Sequence, residues 1–402
     1  MTVTGAWSRA ARGAMLLDDA GRLSPTIFAE MSALAVATGA INLGQGFPDE
    51  DGPREVLDAA KQAIDDGLNQ YPPGIGMPVL RQAIAEHQQR FYAQQVDPDT
   101  DVLVTAGATE AIAATLLALL EPGDEVVTFE PFYDSYGAMI ALAGGRHVGV
   151  PLRWPDFAPD HDELRAAVTD RTRVILLNSP HNPTGSVLDR ATLELVVELA
   201  HRYDALIVTD EVYEHLTYDG VEHLPIATLP GARERTVTIS SAGKTFATTG
   251  WKVGWIVAPP TLLGPILAVK QFLTYVNAAP FQPAIAAGLR MPASFFGNAA
   301  ATLQAKRDLL SDGLRAAGFA VSRPRGSYFV IADAAALGFD DAVELSRRLP
   351  EVAGVVAIPV TAFIRPKHRG DARSLLRFAF CKRTEVLEEA AGRLAGLALP
   401  LS

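Results

Sequence analysis

Six short apolar runs, at 101–105, 125–129, 173–177, 205–209, 236–239 and 254–258, recur along the middle of the chain. Stretches of helical pattern separate them, notably 134–143, 161–168 and 189–203. Strands that are apolar along nearly their whole length are buried on both faces. A mainly parallel sheet with helices on each side is the architecture that buries them in this way, so the fold class expected is α/β. Ligands of such sheets sit off the carboxyl ends of the strands. Asn178, Asp210 and Ser240 each follow a strand directly, so three polar residues converge on one edge of the sheet. Past about residue 290 the pattern changes to a long helical stretch (294–317), strands near 319–322, 327–332, 355–358 and 375–381, and helices at 341–348 and from 384. That reads as a smaller α+β domain. The division expected is an N-terminal arm with part of the small domain over 1–45, a large ligand-binding domain over 46–290, and the small C-terminal domain over 291–402.

Composition excludes several function classes. The 402 residues are 49% hydrophobic and 20% charged, enough for a large core. A formal net charge of -11 argues against nucleic acid as a partner, because phosphate neutralisation needs basic patches. No run of eighteen apolar residues is present, so no membrane span is expected. The first residues lack a charged segment followed by an apolar one, so no secretory signal is expected. The single cysteine, Cys381, fits a reducing cytoplasm. Eight scattered histidines offer no zinc-like spacing, so no metal is expected. The segment before residue 24 sets Arg9, Arg12 and Arg22 against Asp18 and Asp19, and reads either as a flexible tail or as an arm covering a site.

Lys244 stands in Ser240-Ser241-Ala242-Gly243-Lys244-Thr245-Phe246, the loop leaving the run 236–239. The Gly-Lys-Thr triplet imitates the end of a phosphate-binding P-loop, but that motif needs a glycine where Thr238 stands. Asp210 closes an apolar strand in Thr209-Asp210-Glu211-Val212-Tyr213, where an unpaired charge is costly. It either caps a helix or meets a cationic partner. Arg377, inside the apolar run 375–380, needs an anion, either an internal acid or a ligand carboxylate. Gly107, Ala108 and Thr109 open an apolar helix, whose free N–H groups favour an anion unless Thr109 is a simple cap. Gly44 and Gly46, within the turn-rich segment 41–49, let backbone approach a ligand closely.

These segments, with Asn178-Ser179-Pro180-His181-Asn182-Pro183-Thr184-Gly185, resemble fold-type I pyridoxal-phosphate enzymes, specifically class I/II aminotransferases, over nearly the whole chain. The resemblance implies pyridoxal 5'-phosphate as cofactor, with Lys244 bonding it and then acting as the general base that moves a proton between two carbons in a 1,3 shift. It implies Asp210 on the pyridine nitrogen, Asn182 and Tyr213 on the phenolic oxygen, and Tyr133 stacked on the ring. Around the phosphate it implies Ser241, Lys252, the N–H groups of Ala108 and Thr109, and the Thr109 hydroxyl. Lys252 stands where the family often has arginine, keeping the charge but losing the bidentate fork. Arg377 would clamp the substrate carboxylate, with the backbone near Gly46 beside it. Tyr71 would reach the cofactor phosphate of the neighbouring subunit, which makes a homodimer with shared sites the expected assembly. Taken alone, Tyr213 and Tyr71 read as packed aromatics and Asn182-Pro183 as a turn.

The implied substrates are a small amino acid and a 2-oxo acid, with glutamate and 2-oxoglutarate as one pair. The segments 44–53, 130–136 and 179–185 are similar to actinobacterial N-succinyldiaminopimelate aminotransferases of lysine biosynthesis. They are also similar to the kynurenine, glutamine and methionine transaminases, some of which have cysteine-conjugate β-lyase activity. Tyr275 and the run 280–283 suggest an aromatic-lined approach, and Arg325 and Arg365 are candidates for a distal carboxylate. Two rivals stand beside amino transfer. One is β-elimination, which uses the same base and would release ammonia and pyruvate from a cysteine conjugate. The other is an effector-binding domain of a transcription regulator, against which the charge and the short leading segment argue.

Overall fold

The computed structural model describes residues 5–18 and 20–396, so Asp19 and the outermost ends of the two terminal ranges lie outside the described residues. Among the described residues, seven strands form the main sheet in the order Val102–Thr105, Gly254–Val257, Thr236–Ser241, Leu206–Asp210, Thr172–Asn178, Glu125–Glu130, Arg146–Pro151. Gly254–Val257 runs antiparallel to both neighbours, and the remaining pairs are parallel. The five inner strands are buried almost throughout, as the uninterrupted apolar runs require. Register sets the functional edge: Asn178 pairs with Asp210, and Asp210 with Ile239, the residue before Ser240 and Ser241. Arg146–Pro151 escapes the sequence reading because it is a half-exposed edge strand carrying Arg146, His147 and Gly149.

The helices covering the sheet follow local rules. Arg190–Arg202 is capped by Asp189, whose carboxylate accepts the Thr192 N–H at 2.8 Å. The helix buries Leu193, Val196, Val197 and Ala200 against the sheet, at the three- and four-residue spacing of one face. Losing that cap costs a helix about 1 kcal/mol. Ile27–Thr38 has no counterpart in the sequence reading, because it is apolar all round and lacks the polar face that marks a surface helix. Thr26 caps it, and Gly39 ends it in the left-handed conformation.

A four-stranded antiparallel sheet follows, in the order Ile358–Pro359, Leu375–Ala379, Phe329–Asp333, Ala320–Val321. Helices Ala293–Ala316, Ala342–Val352 and Thr384–Ala395 pack around it, and Leu310, Leu345 and Leu387 share one apolar cluster with Phe378. Ile41–Asn42 pairs in parallel with Val355–Val356 as a separate two-stranded sheet, and the Leu43 carbonyl accepts the Ala379 N–H at 2.7 Å, which ties the N-terminal segment to the four-stranded one.

Of the two readings of the first residues, the structure favours the arm. Helix Ala6–Gly13 lies on helix Asp134–Leu142 with backbone against backbone. A methyl group on Gly13 would lie 2.1 Å from the Gly137 carbonyl oxygen, and one on Gly137 would lie 2.4 Å from that of Gly13. Only glycine allows this approach. The chain then passes Met15 and Leu16 along a cavity before helix Ile27–Thr38.

Candidate active site

A cavity of about 190 Å³ opens at the carboxyl edge of the main sheet. Its walls bring together Gly107, Ala108, Thr109, Tyr133, Asn182, Asp210, Tyr213, Ser241, Lys244 and Lys252, ten of the positions singled out above. Gly46 and Arg377 touch this group from the side. The Lys244 ammonium donates to the Tyr328 hydroxyl at 2.8 Å and to the Gly46 carbonyl at 3.4 Å. Tyr328 donates in turn to Gly46. Burial lowers the Lys244 pKa to about 8, which puts a neutral amine within reach near physiological pH.

Asp210 is not a helix cap, because no helix follows it. Its Oδ2 accepts the Tyr136 hydroxyl at 2.7 Å, and its Oδ1 accepts the Val212 N–H at 3.4 Å. Burial raises its pKa to about 6 against these hydrogen bonds. A carboxylate held at that level in an apolar strand end calls for a cation in the cavity. Asn178 organises the neighbouring loop: its Nδ2 donates to the Asp210 carbonyl at 2.8 Å, and its Oδ1 accepts the Asn182 N–H at 2.7 Å.

The opposite wall is built for an anion. Helix Gly107–Leu119 begins there, and its first N–H groups have no partner within the helix. Thr109 is not its cap; that position is Ala106, whose N–H donates to the Glu110 carboxylate at 2.6 Å. Lys252, in the left-handed conformation at φ 53°, forms no ion pair among the described residues. A methyl group on Gly107 would sit 3.2 Å from the Lys252 Nζ, so glycine keeps that side open.

Arg377 is fully buried, and among the described residues no carboxylate lies within ion-pair distance of it. The internal salt-bridge reading therefore fails. Its guanidinium donates to the Asn182 Oδ1 at 3.2 Å and the Gly44 carbonyl at 2.6 Å, while Nε is buried with no partner. Phe329, Phe363 and Phe28 surround it, their ring centroids 4.2, 4.7 and 5.4 Å from the guanidinium carbon. An orphaned N–H on a buried cation marks where an anion docks. A methyl group on Gly46 would meet the Phe329 ring at 2.5 Å, so this approach also requires glycine.

Several expectations need correction. Arg365 is held by buried Glu130 and the His147 carbonyl, and Arg325 is exposed with its backbone on Gly185; neither side chain lines the cavity. Phe281 stacks on Trp251 at 4.5 Å, and Tyr275 is 51% exposed, so neither lines it either. Tyr71, which the resemblance assigns to a neighbouring subunit's site, lies outside this chain's own cavity, 82% exposed, with its ring against Tyr275 at 5.6 Å. Conversely, Tyr136 and Tyr328 reach the site without having been singled out in the sequence. The i, i+3 spacing of Tyr133 and Tyr136 on one helical turn is a signal for the first. His87, Glu214 and His215 bring potential metal-ligand atoms within 4.8 Å of one another, a group that sequence spacing could not reveal. The two Nε2 atoms are 2.6 Å apart, a hydrogen bond and closer than the roughly 3.3 Å between two nitrogens of a tetrahedral zinc site.

The chain belongs to the class I and II aminotransferases: residues 38–394 match the family described as Aminotransferase class I and II. It is an aminotransferase of fold type I that depends on pyridoxal phosphate. It is 52% identical, over 94% of this chain and 98% of the relative, to the probable N-succinyldiaminopimelate aminotransferase DapC of Mycobacterium tuberculosis. A solved structure of N-succinyldiaminopimelate aminotransferase from that organism superposes with a TM-score of 0.92 at 50% identity, covering 99% of this chain and 100% of the other. Methionine aminotransferase of Escherichia coli is 40% identical over 94% of this chain and 97% of its own. Kynurenine–oxoglutarate transaminase 3 of Mus musculus is 37% identical over 92% and 87%. No helix among the described residues is long and apolar enough to cross a membrane.

The donor set fits the cofactor. The start of helix Gly107–Leu119, Lys252, the Asp210 carboxylate and Lys244 all line the same cavity. Gly254 supports this fit from behind, since a methyl group there would lie 2.6 Å from the Gly107 carbonyl carbon and 2.9 Å from the Ala108 nitrogen. Gly254→Ala is therefore expected to push the helix start out of place at about 1–3 kcal/mol, weakening cofactor affinity by roughly tenfold or more. Fluorescence titration of the cofactor-free protein measures this, and an unchanged affinity would remove Gly254 from the argument.

Proposed function

We propose that this enzyme transfers the amino group between N-succinyl-L,L-diaminopimelate and 2-oxoglutarate, using Lys244 as its proton carrier and Arg377 as its carboxylate clamp. The observation that carries the amino-acid reading is the Arg377 guanidinium, buried with an unpartnered Nε beside the Lys244 cavity. The likeness to the Mycobacterium tuberculosis relative supports the particular substrate. Pyridoxal phosphate, when bound, would supply a ring that takes up the electron pair left on the α-carbon when its proton is removed.

The residues divide the remaining work. Arg377 binds the α-carboxylate and, with the Gly46 backbone, fixes which bond at the α-carbon faces Lys244. Lys244, neutral above a pKa of about 8, takes the α-proton on Nζ and delivers it to the second carbon of the 1,3 shift, across the transferred nitrogen. Asp210 keeps the proton on the ring nitrogen, and Tyr136 holds the Asp210 carboxylate in place. Asn182 and Tyr213 bind the phenolic oxygen, and Tyr133 covers the ring. Gly107, Ala108, Thr109, Ser241 and Lys252 hold the phosphate.

The assembly proposed is a homodimer in the cytoplasm. It rests on the exposed aromatic group of Tyr71, Tyr275 and Phe272, the last 85% exposed, with Tyr71 serving the neighbouring subunit's phosphate site. The domain division at about residues 45 and 290 belongs to the same proposal and is supported by the separation of the seven-stranded sheet from the four-stranded one.

Asp210→Asn is expected to lower kcat by about 10²–10³-fold, the scale of one lost preorganised electrostatic contact. Steady-state kinetics tests it, with circular dichroism reporting whether the fold is retained; an unchanged kcat would sink the role. The substrate is tested by single-turnover spectra of the holoenzyme with N-succinyl-L,L-diaminopimelate, L-kynurenine, L-methionine, L-glutamine and L-glutamate. The succinylated diamine is expected to react fastest. Kynurenine or methionine ahead of it would favour the second reading, a broad-range transaminase, which the 40% identity to methionine aminotransferase supports. Pyruvate and ammonia from a cysteine conjugate would report β-elimination.

A further inference from the structure

A second cavity, of about 300 Å³, lies against the other side of the Arg377 environment. Phe28 and Phe363, two of the three rings packed on the Arg377 guanidinium, form part of its wall. Asp134, the residue after Tyr133, forms another part. Met15 and Leu16 of the N-terminal arm close one side. Phe28 and Phe363 are thus shared between the Arg377 guanidinium and this cavity.

Two charged residues of the cavity wall, Asp134 and Arg369, lack an ion-pair partner among the described residues. Glu30 and Arg347 pair at 2.7 Å. Asp134 stands in the first turn of helix Asp134–Leu142, accepts the Ser135 N–H and lies in the field of Arg377. Arg369 has no carboxylate partner among the described residues. Its Nε donates to the Ile364 carbonyl at 3.0 Å, and its Nη2 reaches only the Met15 sulfur at 3.7 Å. The half-buried guanidinium thus faces the cavity with its fork largely unused, and burial acts alone to lower its pKa.

We propose that this cavity is the subsite for the far end of the substrate side chain, and that Arg369 receives a carboxylate there. The ligand class is an amino or 2-oxo acid whose side chain carries a second carboxylate several methylenes from the reacting carbon. The proposal rests on the amino-transfer reading above and deepens it, because it names the group that separates such diacids from methionine or kynurenine. The apolar walls suit the intervening methylenes, and the planar guanidinium suits a bidentate carboxylate.

The test compares two unreactive ligands on the holoenzyme by isothermal titration calorimetry: pimelate, with a carboxylate at each end, and heptanoate, with one. The wild type is expected to bind pimelate about tenfold or more tighter, the scale of one charge-assisted hydrogen-bonded pair. In Arg369→Gln the preference should fall to near unity, and in Arg369→Lys, which keeps the charge but not the fork, part of it should remain. A preference that survives in Arg369→Gln, or is absent from the wild type, overturns the subsite while leaving amino transfer intact. A wild-type enzyme inert to glutamate overturns the amino-transfer reading and the subsite with it, and that is visible before any diacid is added.

Discussion

Replacing Lys244 by alanine is expected to lower kcat by about 10⁴-fold or more, because the substitution removes both the nucleophile and the general base. No neighbour replaces it: Tyr328, which accepts the Lys244 hydrogen bond, has its phenol pKa pushed upward by burial. After borohydride reduction, peptides of the wild type should carry the cofactor mass on Lys244, and peptides of the variant on no residue. Turnover retained in the variant would take the lysine out of the reaction. The wild-type rate should also depend on pH in a defined direction. Desolvation holds the ammonium pKa at about 8, below that of a free lysine, so the fraction of neutral base grows and kcat climbs as pH rises through that value.

The second large effect is expected from Arg377→Ala. Truncating one partner of a buried charge-assisted pair costs about 2–5 kcal/mol, so kcat/KM should fall roughly 30-fold to 10³-fold, mostly through KM for the amino donor. Arg377→Lys should recover only part of this, because the ammonium cannot present two parallel N–H groups to a carboxylate. Thermal unfolding separates binding from packing, since the variant also leaves space among Phe28, Phe329 and Phe363. An unchanged KM would make Arg377 a structural cation and withdraw the clamp.

The legible part of this site is the part that local sequence dictates. Asn178, Asp210 and Ser240 are visible because a buried strand must end, and the first polar residue after it lies on the functional edge of a parallel sheet, with Lys244 in the loop that Ser240 opens. Arg377 is visible because a guanidinium within an apolar run demands an explanation. Where the reading fails, the missing information is a partner distant in sequence. Arg365 looked available for a substrate, yet Glu130, 235 residues away, already holds it. Arg369 carries no local mark that distinguishes it, and its significance comes from being a cation without a carboxylate partner in the wall of one cavity. His87 and His215 are 128 residues apart and meet only through packing. The edge strand Arg146–Pro151 is missed for a related reason, since exposure on one side removes the apolar run that identified its neighbours.

The glycine contact between Gly13 and Gly137 has a bearing on how the chain is made. Helix Ala6–Gly13 leaves the ribosome before its docking surface, which is synthesised more than a hundred residues later. At about 5–20 residues per second, the helix waits roughly 6–25 seconds for a partner, during which an eight-residue segment has little helical stability of its own. Arg377 emerges later still. The arm that closes the side-chain cavity is thus translated early and seated late, and during synthesis its apolar residues are exposed to any chaperone or protease acting on the nascent chain.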